Sequence, residues 1–333
     1  MDQTLELFGD ERLRSIFSAH HVRRLSDIFA NNRKLIHYTS AENALNVFRS
    51  KEMWMRNVRV MNDLREVTHG VSMVMSALDA LKDATTTTIE TGLTAVVREL
   101  DEIFPGLTAS GNEIFLSWRF HIEHLSYVAC LSEHMPDEAN IGRLSMWRNY
   151  TGQQIGVGVV IDPSPFKNLL DDYGAISSPV QYLDEQGLNA MLHEVAAAIH
   201  ADAHFLRTAD RQDVLGHYFQ LLRSLCLATK HPGFKEEREW RIFHTHSMDS
   251  GTGLSTAIVS PGGVPQRIMK LEFRNDPDRG ISGITLPELI DHVIIGPCQT
   301  PLVVGEAIAS ELVALGIPNG AQRIRYSNIP IRT

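Results

Sequence analysis

The chain has 333 residues, 43% of them hydrophobic and 21% charged, which excludes disorder and low complexity as its main description. Its net charge of −9, from 31 Lys and Arg against 40 Asp and Glu, lacks the basic excess of a general nucleic-acid binder, while a local basic groove stays compatible with it. Cys130, Cys226 and Cys298 lie far apart with no CxxC pair, so they read as reduced, buried thiols rather than a disulfide framework or a thiolate zinc site.

Met1-Asp2-Gln3 opens the chain with an acidic residue and lacks the basic-then-apolar order of a signal peptide. No apolar run approaches the ~20 residues a membrane span needs. The expectation is a cytoplasmic protein with no membrane partner.

In chain order, residues 5–30 read as amphipathic helix and Lys34–Tyr38 as a short strand. Ser40 is a good N-cap for a helix whose apolar face carries Ala44, Leu45, Val47 and Phe48. A second strand fits Met53-Trp54-Met55, and the Asn62-Asp63 pair starts another helix. Residues 67–104 look helical, with a turn at Thr85–Thr88, and helical character resumes over 112–125. Ser126–Ser132 and Ile155–Ile161 read as strands, the second stopped by Asp162-Pro163. Residues 186–229 read as two helices broken near Thr208-Ala209-Asp210. Strands at Arg238–His246, Gln266–Phe273 and His292–Ile295 follow, then a helix from Leu302 to Leu315 and a last strand near 322–327. This order predicts a single α+β domain with a mixed sheet, an N-terminal helical segment over 1–33, and helical insertions at 67–125 and 186–230.

The first chemical constellation is Leu35-Ile36-His37-Tyr38-Thr39-Ser40, followed by Trp54 and by Asn62-Asp63 with Glu66. A strand ending in His-Tyr-Thr before a helix start gathers a ring donor, hydroxyls and free backbone amides, a combination suited to a ribose and its phosphates. The plainer alternative is a histidine packed at a strand end beside a helix cap.

These residues resemble the N-terminal signature of the family called domain of unknown function 2971. The middle signature is similar at Cys130-Leu131-Ser132-Glu133, Met146-Trp147-Arg148-x-Tyr150 and Gly156-Val157-Gly158. The later one is similar at Phe234-x-x-Glu237-Arg238-Glu239-Trp240-Arg241, and the end at Gly296-Pro297 with Ser327-x-x-Pro330-x-Arg332. The resemblance runs from about residue 35 to 332, with 72–125 looking private to this branch. A second resemblance joins the strand–His–x–Thr–helix opening to the ADP-ribosyltransferase fold. It implies a sheet core of that type and NAD as substrate. It also implies His37 on the nicotinamide-side ribose, Tyr150 or Trp147 stacked on nicotinamide, and Glu237 or Glu239 as the catalytic carboxylate. No clear Ser-Thr-Ser element precedes the glutamates, a departure from the transferase pattern.

Should the strand at 238–246 extend back to Glu237, side-chain alternation puts Glu237, Glu239 and Arg241 on one face. Two carboxylates beside a guanidinium suit a cationic transition state, whereas a salt-bridge strip on an edge strand is the structural alternative.

Other signals carry less. Asp63, Glu66, Glu133 and Glu237 are candidates for a carboxylate metal cluster, without a recognised ligand rhythm. His121-x-x-His124 and His244-x-His246 lack a third ligand and read as surface histidines. Gly156-x-Gly158 lacks the rest of a dinucleotide fingerprint and sits inside a strand.

The expectation is an ADP-ribosyltransferase-like enzyme that cleaves the nicotinamide–ribose bond of NAD and passes ADP-ribose to a protein, a nucleic acid or water, in the setting of a toxin or anti-phage effector. His37, Tyr38 and Thr39 hold ribose and backbone atoms, and Asn62 and Asp63 line the pocket mouth. Tyr150 or Trp147 stacks, Glu239 supported by Glu237 carries the chemistry, and Arg241 counters phosphate or orients the glutamates. The rivals are a non-catalytic nucleotide-binding or sensing module and a metal-dependent nuclease.

Overall fold

A computed structural model describes residues 9–61, 65–83, 90–150, 154–164, 174–249, 253–279 and 281–330. Its strands, in chain order, are β1 (Lys34–Ser40), β2 (Glu52–Asn57), β3 (Ser126–His134), β4 (Gly156–Ile161), β5 (Ile176–Pro179), β6 (Gln181–Tyr182), β7 (Thr229–Lys230), β8 (Glu239–Thr245), β9 (Leu254–Val259), β10 (Gln266–Glu272), β11 (Ile290–Ile295) and β12 (Ile324–Tyr326). The chain is mixed α and β, and its main sheet is mixed. Contacts divide it into two compact units: residues 1–26, 58–126 and 178–235 in one, and 27–57, 127–177 and 236–333 in the other. The helical segments expected from the sequence fall mainly in the first.

That first unit is helical because its segments repeat apolar residues at helical spacing, and the boundaries follow local capping. Helix Gly92–Ile103 starts where the Thr91 hydroxyl accepts from the Thr94 amide at 3.2 Å, and Asp184 caps helix Glu185–Ala201 by accepting from Gly187 N at 2.8 Å. Helix Arg65–Asp83 lies close against helix Arg211–Leu227. A Cβ on Gly70 would come within 2.5 Å of the Leu225 carbonyl oxygen, so only glycine permits this approach. The short β6 and β7 pair in parallel.

In the second unit the sheet order is β12-β11-β4-β1-β3-β2-β10-β9, with β8 pairing β3 and β5. Neighbours with a defined register are antiparallel except β11 and β12, which run parallel. Every residue of β4 is buried, as its Gly-Val-Gly-Val-Val-Ile sequence requires of a strand flanked on both edges. Lys34 reaches Asp162 at 2.7 Å and ties the start of β1 to the end of β4.

The helix Ala41–Ser50 starts where expected, with the Ser40 hydroxyl accepting from Asn43 N at 3.2 Å. Four departures have local causes. The N-terminal amphipathic run breaks at Ser18 into Gly9–Phe17 and Ala19–Ala30. Helix Leu144–Tyr150 occupies a stretch only seven residues long, too short to show a period. Strand β9 runs along a sheet edge with Thr256 and Ile258 exposed and the small Ser255 and Ala257 on the half-buried side, so no inward apolar alternation marks it. Finally β8 begins at Glu239, not Glu237. Residues Pro232–Glu237 form a 3-10 turn, and Arg238 adopts the left-handed region at φ 45°, so the chain enters the strand only after that corner. The Thr85–Thr88 turn lies outside the described residues. None of the three cysteines forms a disulfide; Cys226 is buried, but Cys130 and Cys298 are half-buried rather than fully so. No helix among the described residues is long and apolar enough to cross a membrane.

Candidate active site

The site grows from a gap in strand pairing. β1 is registered with β4 along six residues, from Leu35↔Ile161 to Ser40↔Gly156. With β3 it is registered along three only, ending at Ile36↔Ser132. Past Ile36 the His37 ring takes over the contact, its Nδ1 donating to the Cys130 carbonyl oxygen at 3.0 Å. A carbonyl only accepts, so the neutral ring carries its proton on Nδ1 and leaves Nε2 as the acceptor. Burial holds His37 below its ordinary pKa, with the Cys130 bond pulling weakly the other way.

A partly open cavity of about 10 Å³, the space of roughly one water molecule, sits where the two strands part. Ile36, Tyr38, Cys130, Leu131, Ser132, Met146, Tyr150 and Glu239 line it. Ile36 and Tyr38 leave β1 on one face, and His37 and Thr39 leave on the other. The structure therefore brings Tyr38, Tyr150 and Glu239 together around one cavity, and places His37 and Thr39 outside its lining.

Glu239 is held by Arg241, as strand alternation predicts. Arg241 donates from Nε to Oε1 at 2.7 Å and from Nη2 to Oε2 at 3.1 Å, and both side chains are 2% exposed. Glu237, which the 3-10 turn removes from the strand, does not share their face by alternation; its Oε2 accepts from the Tyr150 hydroxyl at 3.4 Å. The expectation of three charged residues along one strand face is thus corrected, because the left-handed corner at Arg238 breaks the alternation between Glu237 and Glu239.

Trp147 belongs to the hydrophobic core. It packs with Ile36, Tyr38, Met146, Val160 and Ile294, its indole nitrogen donates to the Ile141 carbonyl at 2.9 Å, and its ring meets the Tyr38 ring edge-on at 4.8 Å. It is 3% exposed and presents no open face to a ligand. Asn62 and Asp63 lie outside the described residues, as does the side chain of Glu66. Among the described residues no three His, Cys, Asp or Glu side chains gather so as to hold a metal ion.

The residue that the sequence reading missed is Arg143. Its backbone N–H donates to the Tyr38 hydroxyl at 2.9 Å, and its guanidinium donates to the carbonyls of Glu237 (2.8 Å) and Glu133 (3.1 Å). The remaining donors form a fork with both oxygens of Glu138, each at 2.8 Å. Burial pushes the Tyr38 hydroxyl well above its ordinary range, against the opposing pull of Arg143, so it keeps its own proton to give. The one sequence signal for Arg143 was its place just ahead of the Met146-Trp147-Arg148-x-Tyr150 run; nothing in an isolated Gly-Arg-Leu marks an arginine as buried.

Fold and site together define a mixed α/β protein with a buried acid–tyrosine cavity at a strand divergence. The family model described as Protein of unknown function (DUF2971) matches residues 146–242. The match takes in most of the helix carrying Trp147 and Tyr150, all of β4, and β8 through Ile242. No curated protein matches the chain, and no solved structure does.

Proposed function

We propose that the chain is an NAD-cleaving enzyme of ADP-ribosyltransferase-like type, with Glu239 as the catalytic carboxylate. One observation carries this reading: a buried carboxylate, oriented at both oxygens by Arg241, forms part of the wall of a cavity that Tyr38 and Tyr150 also line. Breaking the nicotinamide–ribose bond leaves positive charge on the ribose, and a fixed, buried anion stabilises that charge as it forms without reorganising. Tyr38 supplies a protonated hydroxyl, and Tyr150 links the cavity to Glu237. Because the cavity has the space of roughly one water, the reacting end of NAD meets Glu239 from the open side rather than filling the cavity. In this reading His37 acts behind the cavity by holding the Cys130 carbonyl, and Trp147 supports Tyr38 from the core instead of stacking on nicotinamide.

The test is incubation with labelled NAD and cell lysate, tracking nicotinamide release and macromolecular labelling separately. Glu239→Gln is expected to stop release while NAD binding persists. Unchanged turnover in that variant removes Glu239 from the chemistry.

A second reading is a nucleotide-binding module without catalysis. It is favoured by the Arg241 fork, which engages both Glu239 oxygens as a structural strut does. NAD bound stoichiometrically and recovered intact from the wild-type protein would decide for it.

A further inference from the structure

Ser132 stands on β3 opposite Ile36, so its side chain shares a sheet face with Ile36 and Tyr38. All three line the cavity. Ser132 is 1% exposed, and its hydroxyl has no hydrogen-bond partner among the described residues. A buried hydroxyl that gives one bond and takes two is costly to leave unmatched, and an adjacent water is the usual remedy. Here the space fits. The cavity, at about 10 Å³, suits a single water, and Glu239, Tyr38 and Tyr150 supply further polar atoms around it. Each Glu239 oxygen accepts from Arg241, and a carboxylate oxygen can accept more than one hydrogen bond, so a water can share it.

We infer that this cavity binds one water molecule between Ser132 and Glu239, and that this water is the acceptor of the ADP-ribosyl group. The second half of the inference rests on the NAD-cleaving reading above; the water site does not. The space beside Glu239 fits one water, so the acceptor held inside the cavity is water and the reaction is a hydrolysis, with NAD approaching from the open side. The bond from the ribose anomeric carbon to the pyridine nitrogen breaks, and its electron pair stays on the departing neutral nicotinamide. The water oxygen bonds to the anomeric carbon, and its surplus proton passes by way of Glu239 to solvent. NAD and water thus become ADP-ribose, nicotinamide and one proton. Ser132 is a positioning residue: it holds the water and touches no other reactant.

Two measurements test this. A high-resolution crystal structure of the wild-type protein is expected to show a water within about 3.2 Å of both Ser132 Oγ and a Glu239 oxygen. The same cavity without that water overturns the site. The second uses NAD radiolabelled in its adenylate half, with lysate present. Label is expected in free ADP-ribose, and Ser132→Ala is expected to lower kcat about tenfold with KM within about twofold, a split that general loosening of the fold would not give. Label mainly in macromolecules overturns hydrolysis while leaving NAD cleavage intact. No nicotinamide release at all overturns the NAD reading and hydrolysis with it, and the crystallographic result then judges the water site by itself.

Discussion

Arg241 and Glu239 leave β8 on the same face two residues apart and close a two-bond fork, at 2.7 and 3.1 Å, with both side chains out of water. A buried pair of this kind gains little net stability over a well-packed apolar pair, but breaking it from one side strands a charge. Arg241→Ala is therefore expected to cost about 3–5 kcal/mol, and Glu239→Gln with Arg241→Met together much less than the first change alone. Urea titrations of the three proteins check this. A double variant as unstable as Arg241→Ala would show that the guanidinium matters through contacts other than Glu239.

Arg143 gathers Glu138, the carbonyls of Glu133 and Glu237, and the Tyr38 hydroxyl around one buried residue. A lysine ammonium cannot reproduce the planar fork. Arg143→Lys is expected to lose about 2–4 kcal/mol, close to Arg143→Ala, because either change leaves Glu138 and two carbonyls short of donors. Denaturation midpoints separate the outcomes: a lysine variant at wild-type stability would reduce Arg143 to a simple counter-charge.

His134 makes stability depend on pH. Burial, reinforced by the neighbouring His292, pulls it from 6.5 to about 4, while Glu138 and Asp291 pull weakly the other way. The folded pKa lies below the unfolded one, so the unfolded chain binds more protons between those values. Stability from this group is complete above pH 6.5 and falls as the pH drops towards 4, by on the order of 3 kcal/mol. Both ring nitrogens of His134 lack a hydrogen-bond partner among the described residues, so His134→Leu is expected to fold and to flatten this slope. An unchanged acid limb in the variant would assign the effect to other groups.

Gly142 precedes Arg143 at φ 65°, and a Cβ there would lie 2.5 Å from the Trp147 ring. Gly142→Ala meets backbone strain and a clash with a walled-in indole at once, with an expected cost of about 2–4 kcal/mol. Thermal unfolding measures the cost, and red-shifted tryptophan emission would report displacement of Trp147. A change under about 0.5 kcal/mol would mean the loop shifts freely.

The parts legible in the sequence were those with local causes. Ser40 marked a helix start because a hydroxyl at that position caps whatever helix follows, and the Val157–Ile161 run marked a buried strand by its content alone. Glu239 and Arg241 were paired correctly because alternation is a property of any strand. Glu237 was misplaced because a left-handed arginine at 238 has no sequence signature as glycine does. Trp147 offered the residue type of a stacking platform, yet Gly142, Gly158 and Gly296 all lie against its ring and enclose it. The cavity was out of reach altogether, since it depends on where β1 and β3 part, and ladder ends are set by packing rather than by either strand's own residues.

The corner at Arg238 also sets how much length variation this part of the chain can bear. Ahead of Glu237 lies a 3-10 turn, where an extra residue is absorbed by a change of loop. One residue added or lost within β8, past the corner, would invert the phase of everything downstream of it. Glu239 and Arg241 would then point to different sides, and Trp240 and Ile242 would exchange places with the polar pair. Insertion scanning should therefore find a sharp boundary here, permissive up to position 236 and forbidding from 239 to 245.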